Sequence, residues 1–410
     1  MYLTGLIHRE RLFELATRWF NGQLDPSDGR FVTEMLTFEN LITGPTTRTF
    51  LQDIFHAAEF APVELHRLRL KDELRDMIVA RCPVSTPRRQ ALFSKYREHP
   101  EEFFPQTPTD MIVATEDGGF PRGTIRVKRI RRVAEKGSRR IADALADTIR
   151  SRARIFAQER AASSGVSLDR LYSSPQTMRE DFERAEQQVS QLFREQEVVL
   201  GREQMRIDDI IGCKIIGSTQ ELERVERAIS AHPGARLAER EVHRGAYNDT
   251  NLLVDLDLPE PAEIVDRLGG RDWCFAGGRG IAPERLERAF PAYVESGARS
   301  YRAEIILTSL EELIESEFGR SMHEERVLAQ RQTAQYAGRI ARNASFLIEY
   351  MLRLAISPTV TIDQLPIVMW GRYLADTYSS AVWRLYGIRH GVALMDSFMP
   401  EPGELLGGSE

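Results

Sequence analysis

The chain has 410 residues, 42% of them hydrophobic, and a formal net charge of −6 at pH 7. This length suffices for a large core and two or three structural units. Because no apolar run approaches the roughly 20 residues that span a bilayer, and the N-terminal segment carries charges, we expect a cytoplasmic protein with no membrane partner. The acidic balance argues against a general nucleic-acid coat, and three cysteines without metal-ligand spacing exclude a disulfide framework and a structural zinc site.

Residues 1–105 are expected to form a helical N-terminal region. Four segments of this region carry apolar residues at three- and four-residue steps, which is the period of an amphipathic helix. These segments are LFELATRWF, RTFLQDIFHAAEF, VELHRLRLKDELRDMIVARC and RRQALFSKYREHPEEFF.

A hairpin and a long helix are predicted next. The segment DMIVATEDGGFPRGTIRVKRIRRV has the pattern of two strands joined by a turn at residues 117–119. Arg126 and Lys128 alternate with apolar residues of the second strand and therefore share one face. A helix is expected from Ser138 to about Ala161, and another helix begins near Pro175.

The remainder of the chain alternates strands with helices and ends in a helical C-terminal region. Strands are predicted at 207–216, at 251–258 and over SYRAEIILTS, with a helix over TQELERVERAISAH and an insertion near 259–298. Strands separated by helices in this way indicate an α+β protein with a mixed sheet. We therefore expect a mixed-sheet core over 106–330, flanked by helical regions at 1–105 and 331–410.

Positive charge is concentrated between residues 121 and 155, which contain twelve Lys or Arg and three acids. Either a phosphate-rich ligand binds this stretch or the protein's own acidic surface covers it. Within it, Lys136, Gly137 and Ser138 are predicted to provide a glycine turn, a hydroxyl and a helix N-terminus that could face phosphate.

Two acidic residues at strand positions, Asp209 and Glu304, suggest a metal site. Asp208 and Asp209 precede the apolar strand that continues through Gly212, and Glu304 lies at the start of EIILTS. Carboxylates on neighbouring strands suffice for Mg²⁺, which keeps several waters and takes its other ligands from substrate phosphates. The alternative is that each acid caps a strand or pairs with an arginine.

These residues resemble the RelA/SpoT-type alarmone synthetases, which have a nucleotidyltransferase fold and move pyrophosphate from ATP to the 3′-hydroxyl of a guanine nucleotide. The segment DIIGCKI, from Asp209, is similar to the family's D-I-x-G-x-R-I strand, with Lys214 at the arginine position. The segment EIIL, from Glu304, is similar to the start of its E-I-Q-I-R-T strand. Tyr247 stands where the family has the tyrosine of G-Y-x-S-x-H. The resemblance covers about residues 110–330 and implies a nucleotidyltransferase-like core.

The resemblance also implies roles for these residues. Asp209 and Glu304 would bind Mg²⁺, and Glu304 would also accept the proton of the acceptor hydroxyl. Tyr247 would stack on the acceptor base, and Lys214 would contact a substrate. Apart from the resemblance, four basic residues would hold the donor phosphates of ATP if the site is active: Arg126, Lys128, Lys136 and Arg139. GDP or GTP is the implied acceptor.

The chain departs from the family pattern at several positions. Ahead of the aspartate strand, where the basic R-x-K-x-x-x-S-I-x-x-K loop is expected, the chain has LYSSPQTMREDF, and Arg126 lies 83 positions before Asp209. Asn251 stands at the histidine, and Ile306 and Thr308 replace the strand glutamine and arginine. Losing one electrostatic contact to a transferring phosphate costs about 3–4 kcal/mol. Either the strip from Arg126 to Arg140 substitutes for the loop, or catalysis is lost.

Three functions therefore remain open. The first is a divergent Mg²⁺-dependent pyrophosphate transferase. The second is a catalytically inactive nucleotide sensor or scaffold that keeps the synthetase fold. The third is an RNA-directed transferase, whose arginine strip would follow a phosphate backbone and whose affinity would fall steeply with salt.

Overall fold

A mixed sheet of seven strands lies at the centre of the chain. The computed structural model describes residues 1–103, 106–171, 175–245, 248–319 and 339–388. In the order β2-β3-β4-β6-β9-β8-β7, strands β6 and β9 run parallel and the other neighbours run antiparallel. A short parallel pair, β1 with β5, lies outside this sheet. The strands are β1 (Tyr2–Leu3), β2 (Glu64–Leu70), β3 (Pro108–Glu116), β4 (Phe120–Val127), β5 (Arg206–Ile207), β6 (Ile211–Ile216), β7 (Ala235–His243), β8 (Asp249–Asp257) and β9 (Ser300–Thr308).

Helices precede, interrupt and follow these strands. The longest, α5, follows β4 directly and packs against α7 and α12. Between β8 and β9, where the insertion was predicted, lie α9 and α10. The helices are α1 (Arg9–Phe20), α2 (Asp28–Ala57), α3 (Lys71–Arg81), α4 (Pro87–Glu98), α5 (Ile130–Ser164), α6 (Leu168–Leu171), α7 (Pro175–Arg194), α8 (Thr219–Ala231), α9 (Pro261–Leu268), α10 (Pro283–Ser296), α11 (Leu310–Phe318), α12 (Arg339–Arg353) and α13 (Ala375–Leu385).

The two faces of the sheet differ in polarity because successive side chains of a strand point to opposite faces. Ile125, Cys213 and Ile305 stand in register across β4, β6 and β9, and all three are buried in the main core. Helix α2 covers this apolar face, since Thr47 contacts the hydroxyl of Tyr301 at 2.7 Å. The opposite face carries polar side chains at the same strands and is called the polar face below.

A second, smaller core covers one side of the polar face. Helices α3, α4 and α11 bury Ile78, Phe93 and Phe318 against Val113 of β3 and Ile216 of β6. The part of the polar face nearer to β8 lies beyond this cluster. The small core therefore closes the β3 side of the polar face.

Strand β2 corrects the prediction of a helix over VELHRLRLKDELRDMIVARC. Only its second half is helical, as α3, whereas β2 pairs with β3 as an edge strand of the sheet. In β2, Leu65, Leu68 and Leu70 lie among polar residues, and this short segment fits the strand period about as well as the helical one. Hydrogen-bonded pairing with β3 makes this segment a strand.

Helix α5 corrects the predicted helix start at Ser138. The helix begins at Ile130, so Lys136, Gly137 and Ser138 lie inside it and form neither a turn nor a helix N-terminus. A glycine inside a helix costs stability, but here a Cβ at Gly137 would lie only 3.0 Å from Met1 Sδ. The glycine permits this close packing.

The predicted strand over 207–216 is interrupted. Residues 208–210 lie between β5, which pairs with β1, and β6, which belongs to the main sheet. The interruption places both aspartates in a connecting segment beside the end of β6.

The α+β class with a mixed sheet flanked by helices is confirmed by this arrangement. The hairpin β3–β4, the helix α8 and the strands β8 and β9 agree with the predictions to within a few residues. Among the described residues, no helix combines the length and the apolarity needed to cross a membrane.

Candidate functional site

A row of three residues on the polar face defines the centre of the site. Arg126 of β4 pairs in register with Gly212 of β6, which pairs with Glu304 of β9. A Cβ at Gly212 would meet Glu304 Oε2 only at 3.8 Å, so its backbone is open toward the polar face. The glycine leaves a gap in the row between a guanidinium and a carboxylate.

Asp209 lies beside this row and is bound by two lysines. The Nζ atoms of Lys128 and Lys136 both contact Asp209 Oδ2, and Lys128 Nζ also donates to the main-chain oxygen of Asp209 at 2.7 Å. The main-chain N–H of Lys128 donates to Ile210 O at 2.8 Å, which extends the β4–β6 pairing to this point. Pairing of β4 with β6 therefore brings the lysines to the aspartate.

The electrostatics of Asp209 and Lys128 follow from this pairing. Burial acts to raise the pKa of Asp209, but the ammonium groups of Lys128 and Lys136 outweigh it, and the pKa is lowered. Burial lowers the pKa of Lys128, while the carboxylates of Asp209 and Glu304 both act to raise it. One ammonium group thus lies within electrostatic reach of both acids.

Glu304 has an amide neighbour on the next strand. Asn251 Nδ2 of β8 donates to Glu304 Oε1 at 3.0 Å. The Oδ1 atoms of Asn251 and Asp209 are both buried and lack a hydrogen-bond partner among the described residues. A buried oxygen without a donor is costly, so the site contains two acceptors that a cation or water would satisfy.

The donor set fits Mg²⁺ better than a transition metal. Two carboxylates and an amide oxygen are hard ligands, and Mg²⁺ usually takes one or two carboxylates and retains water. No group of three or more His, Cys, Asp or Glu that could hold a metal occurs in the parts of the chain that the structure describes. Asp209 and Glu304 are the residues that could hold Mg²⁺, with Asn251 beside them.

Asp208 does not face the same partners as Asp209. Its Oδ1 accepts hydrogen bonds from Thr4 Oγ1 at 3.0 Å, Arg206 Nε at 2.8 Å and Arg302 Nη1 at 3.3 Å. The acidic pair seen in the sequence is therefore divided, and Asp208 matches the alternative in which an acid pairs with arginines.

Three basic residues near the site have the spacing of the basic motif with which the sequence was compared. Arg126, Lys128 and Lys136 have the spacing of R, K and K in R-x-K-x-x-x-S-I-x-x-K, with Arg132 at the serine position. The segment directly before Asp209, where this motif was expected, does not contain it. Antiparallel pairing of β4 with β6 brings these basic residues, which begin 83 positions before Asp209, to the site, and their spacing was the signal that could have revealed them.

The other predicted binding residues differ in exposure and in their surroundings. Arg126 is exposed, and none of the residues that the structure describes forms a hydrogen bond or ion pair with its guanidinium. Lys214 shares the polar face two residues after Gly212, and burial lowers its pKa. Arg139 is exposed one turn beyond Lys136 on α5. Tyr247 lies outside the described residues.

Comparisons with known proteins return solved structures of alarmone synthetases. No protein-family profile and no curated protein matches the chain. A GTP pyrophosphokinase family protein from Streptococcus pneumoniae is 11% identical, and the match covers 69% of this chain and 89% of that chain with a TM-score of 0.22. Small alarmone synthetase 1 from Bacillus subtilis, bound to its product pppGpp, is 17% identical over 40% of this chain and 68% of that chain, with a TM-score of 0.19.

A second structure of the Bacillus subtilis synthetase 1 is 12% identical and covers 69% of this chain and 93% of that chain, with a TM-score of 0.21. These are proteins of the kind that the sequence motifs resemble. Such TM-scores carry no weight for function, which must be inferred from the residues of the site.

Proposed function

We propose that this protein is a Mg²⁺-dependent transferase that moves pyrophosphate from ATP to the hydroxyl of a guanine nucleotide or a related acceptor. The observation that carries the proposal is the grouping of Asp209, Glu304 and Asn251 beside the space that Gly212 leaves between side chains. Asp209 and Asn251 each have a buried oxygen without a hydrogen-bond partner among the described residues. The basic side chains of Arg126 and Lys136 lie on the adjacent strand and helix. A metal–nucleotide complex would supply a cation for the buried oxygens and phosphates for the basic side chains.

Each residue then has a role that its chemistry allows. Asp209 and Glu304 would hold Mg²⁺, which neutralises phosphate charge and holds the phosphate oxygens for attack. Arg126, Lys128 and Lys136 would bind the donor phosphates. Arg139 would add charge at the outer end, Lys214 would contact the nucleotide, and Tyr247 would stack on the acceptor base.

The reaction balances with these groups alone. The acceptor hydroxyl oxygen forms a bond to the β-phosphorus of ATP, and the bond from that phosphorus to the oxygen bridging the α-phosphate breaks. AMP leaves with the electron pair of that bond. The hydroxyl proton passes to the carboxylate of Glu304, which is partly exposed on the polar face.

Turnover is tested with the full chain, Mg²⁺ and ATP labelled on the β-phosphate. GDP, GTP and tRNA serve as separate acceptors, and transfer of label to one of them is the expected result. Asp209→Asn and Glu304→Gln should each lower the rate by about 10²–10³-fold, the usual effect of removing one group that stabilises transition-state charge. Asp257→Asn, an exposed change on the same sheet, is the control and should leave the rate unaltered.

A second candidate, a nucleotide-binding protein without turnover, is favoured by one observation. Both lysines form ion pairs with Asp209, so phosphate and metal must compete with these internal contacts. Calorimetric titration with ATP, GDP and GTP separates the two functions, because a sensor binds nucleotide and transfers no label to any acceptor. Neither binding nor transfer in wild-type protein would sink both candidates.

A further inference from the structure

Arg302 connects the three chain segments that supply the oxygens of the site. Its Nε and Nη2 atoms donate to Asp255 Oδ1 and Oδ2 at 2.7 and 3.0 Å, and its Nη1 donates to Asp208 Oδ1 at 3.3 Å. These three side chains are 15–19% exposed and are called the Arg302 bridge below.

Each member of the Arg302 bridge is a near neighbour of a site residue along the chain. Asp208 directly precedes Asp209. Arg302 lies two residues before Glu304 on β9, and Asp255 lies four residues after Asn251 on β8. Because alternate residues of a strand share a face, Arg302 and Asp255 lie on the polar face with Glu304 and Asn251.

The segment that carries Asp209 needs such a connection, because it lies outside regular structure. Residues 208–210 separate β5 from β6, and β5 pairs with β1 and not with the main sheet. Arg206 and Thr4 add two further hydrogen bonds to Asp208, at 2.8 and 3.0 Å. These contacts also fix the position of Asp208.

The hydrogen-bond geometry of Arg302 suits it to hold Asp208 in place. The two parallel hydrogen bonds from Arg302 to Asp255 fix the plane of the guanidinium, and bidentate pairs of this kind are among the strong and directional ones. The remaining amino group then reaches Asp208 from a fixed direction. A lysine has one ammonium group and cannot reproduce both contacts in this way.

We infer that Arg302 is a positioning residue, which sets the separation between Asp209 and Glu304 for metal binding without touching the metal or the nucleotide. The inference rests on the proposed function, because it assigns those two acids to Mg²⁺. Partners that orient metal ligands typically change metal affinity by about 10–100-fold when they are removed.

The experiment compares Arg302→Met, Arg302→Lys and Arg236→Met in the full chain. Arg236 is the matched control, since it also binds Asp255, at 3.3 Å, but is more exposed and makes no hydrogen bond to Asp208. Mg²⁺ is titrated calorimetrically in the presence of a non-hydrolysable ATP analogue. In parallel, amide hydrogen exchange is measured over residues 208–212.

Arg302→Met should bind Mg²⁺ about 10–100-fold more weakly than wild type and should exchange the amides of 208–212 faster. Arg302→Lys should have a Mg²⁺ affinity and an exchange rate between those of wild type and Arg302→Met. Arg236→Met should match wild type in both measurements. A merely structural arginine would lower the melting temperature and leave the Mg²⁺ affinity of the folded protein unchanged.

Wild-type affinity and unaltered exchange in Arg302→Met would overturn the inference. If wild-type protein binds no Mg²⁺–nucleotide complex, the proposed function fails. The exchange measurement alone then decides whether Arg302 positions the segment 208–212. Equal exchange in the Arg302 and Arg236 variants then refutes positioning, and faster exchange in the Arg302 variant alone supports it. If Arg302→Met does not fold, Arg302→Lys provides the same comparison.

Discussion

On one face of the sheet Ile125, Cys213 and Ile305 stand in a row that α2 covers, and all three are buried. One position away on each strand, Arg126, Gly212 and Glu304 form a row in which Arg126 is exposed and Glu304 partly so. The same backbone ladder holds both rows. Burial of the first row stabilises the fold, which leaves the second row available for charged groups and ligands.

This difference predicts that substitutions separate into two classes. Changes on the apolar face should lower the free energy of unfolding and leave ligand affinity of the folded protein intact. Changes on the part of the polar face beyond the small core should weaken ligand binding and leave the free energy of unfolding nearly unchanged. The strands themselves provide adjacent residues with which to test the separation.

The largest effect on stability is expected from Ile305→Ala. Ile305 is fully buried, and truncating such a residue typically costs about 2–5 kcal/mol through lost burial and the remaining cavity. Ile306, its neighbour on the polar face, is partly exposed, and Ile306→Ala should cost no more than about 1 kcal/mol. Urea unfolding measures both. Equal losses for the two variants would contradict the assignment of the faces.

Acids on the two sides of the sheet should respond to pH with opposite signs. Burial raises the pKa of Glu39 on α2 to about 7, even though it accepts hydrogen bonds from Ile7, His8 and Tyr293. An acid with a raised pKa contributes full stability below its unfolded pKa and loses it as pH rises toward the folded value. For Asp209, whose pKa is lowered, stability is lost as pH falls below the unfolded pKa of 3.8.

Because the pKa of Glu39 is raised from 4.5 to about 7, this residue should reduce the free energy of unfolding by roughly 3 kcal/mol as the pH rises over that range. Urea unfolding of wild type and Glu39→Gln at pH 5 and pH 8 measures this contribution. Relative to wild type, the Glu39→Gln variant should have a higher free energy of unfolding at pH 8 than at pH 5. A difference that is the same at both values would show that Glu39 remains ionised in the fold.

Two glycines on neighbouring strands offer the same substitution on opposite faces. A Cβ at Gly123 would lie 2.9 Å from both Lys214 O and Phe55 Cζ, whereas one at Gly212 would meet only ordinary contacts. Gly123→Ala should therefore destabilise the fold by about 1–3 kcal/mol, and Gly212→Ala by no more than about 0.5 kcal/mol. Gly212→Val should retain the fold and weaken binding of the Mg²⁺–ATP complex about tenfold, or about 1.4 kcal/mol. Thermal unfolding and calorimetry test this pair, and destabilisation by both alanines would count against an open polar face.

The smallest expected effect concerns Lys136. Removing its half-exposed ammonium from Asp209 should let Mg²⁺ alone bind up to about fivefold more tightly, since exposed ion pairs contribute at most about 1 kcal/mol. If Lys136 binds phosphate as proposed, the same change should weaken ATP binding. Titrations of Lys136→Gln with Mg²⁺ and with ATP measure both effects. Arg154→Gln, an exposed change of equal charge further along α5, is the control, and equal behaviour of the two variants would argue against a specific contact.

The predictions from sequence succeeded where a local pattern determines the outcome. Alternation and turn residues sufficed for β3 and β4, whereas the metal-binding role of Asp209 and Glu304 stays a prediction. They failed at β2, where a short segment fits two periods, and at the start of α5, where Gly137 inside a helix was read as a turn.

Contacts between distant segments account for the remaining errors. The separation of 83 residues between Arg126 and Asp209 was read as a departure, although β4 and β6 are neighbours in the sheet. Asn251 was noted only as a missing histidine, yet its amide binds Glu304 at 3.0 Å. Arg302 and Asp255 were not considered, because nothing in the local pattern relates them to Asp208.

The sequence by itself determined the α+β class and most strands and helices, because side-chain periodicity and turn chemistry act over a few residues. Only the tertiary structure decided which lysines reach Asp209, why Asp208 faces arginines, and which face of the sheet is polar over the site. Those outcomes depend on strand order and register, which bring together side chains that are far apart along the chain.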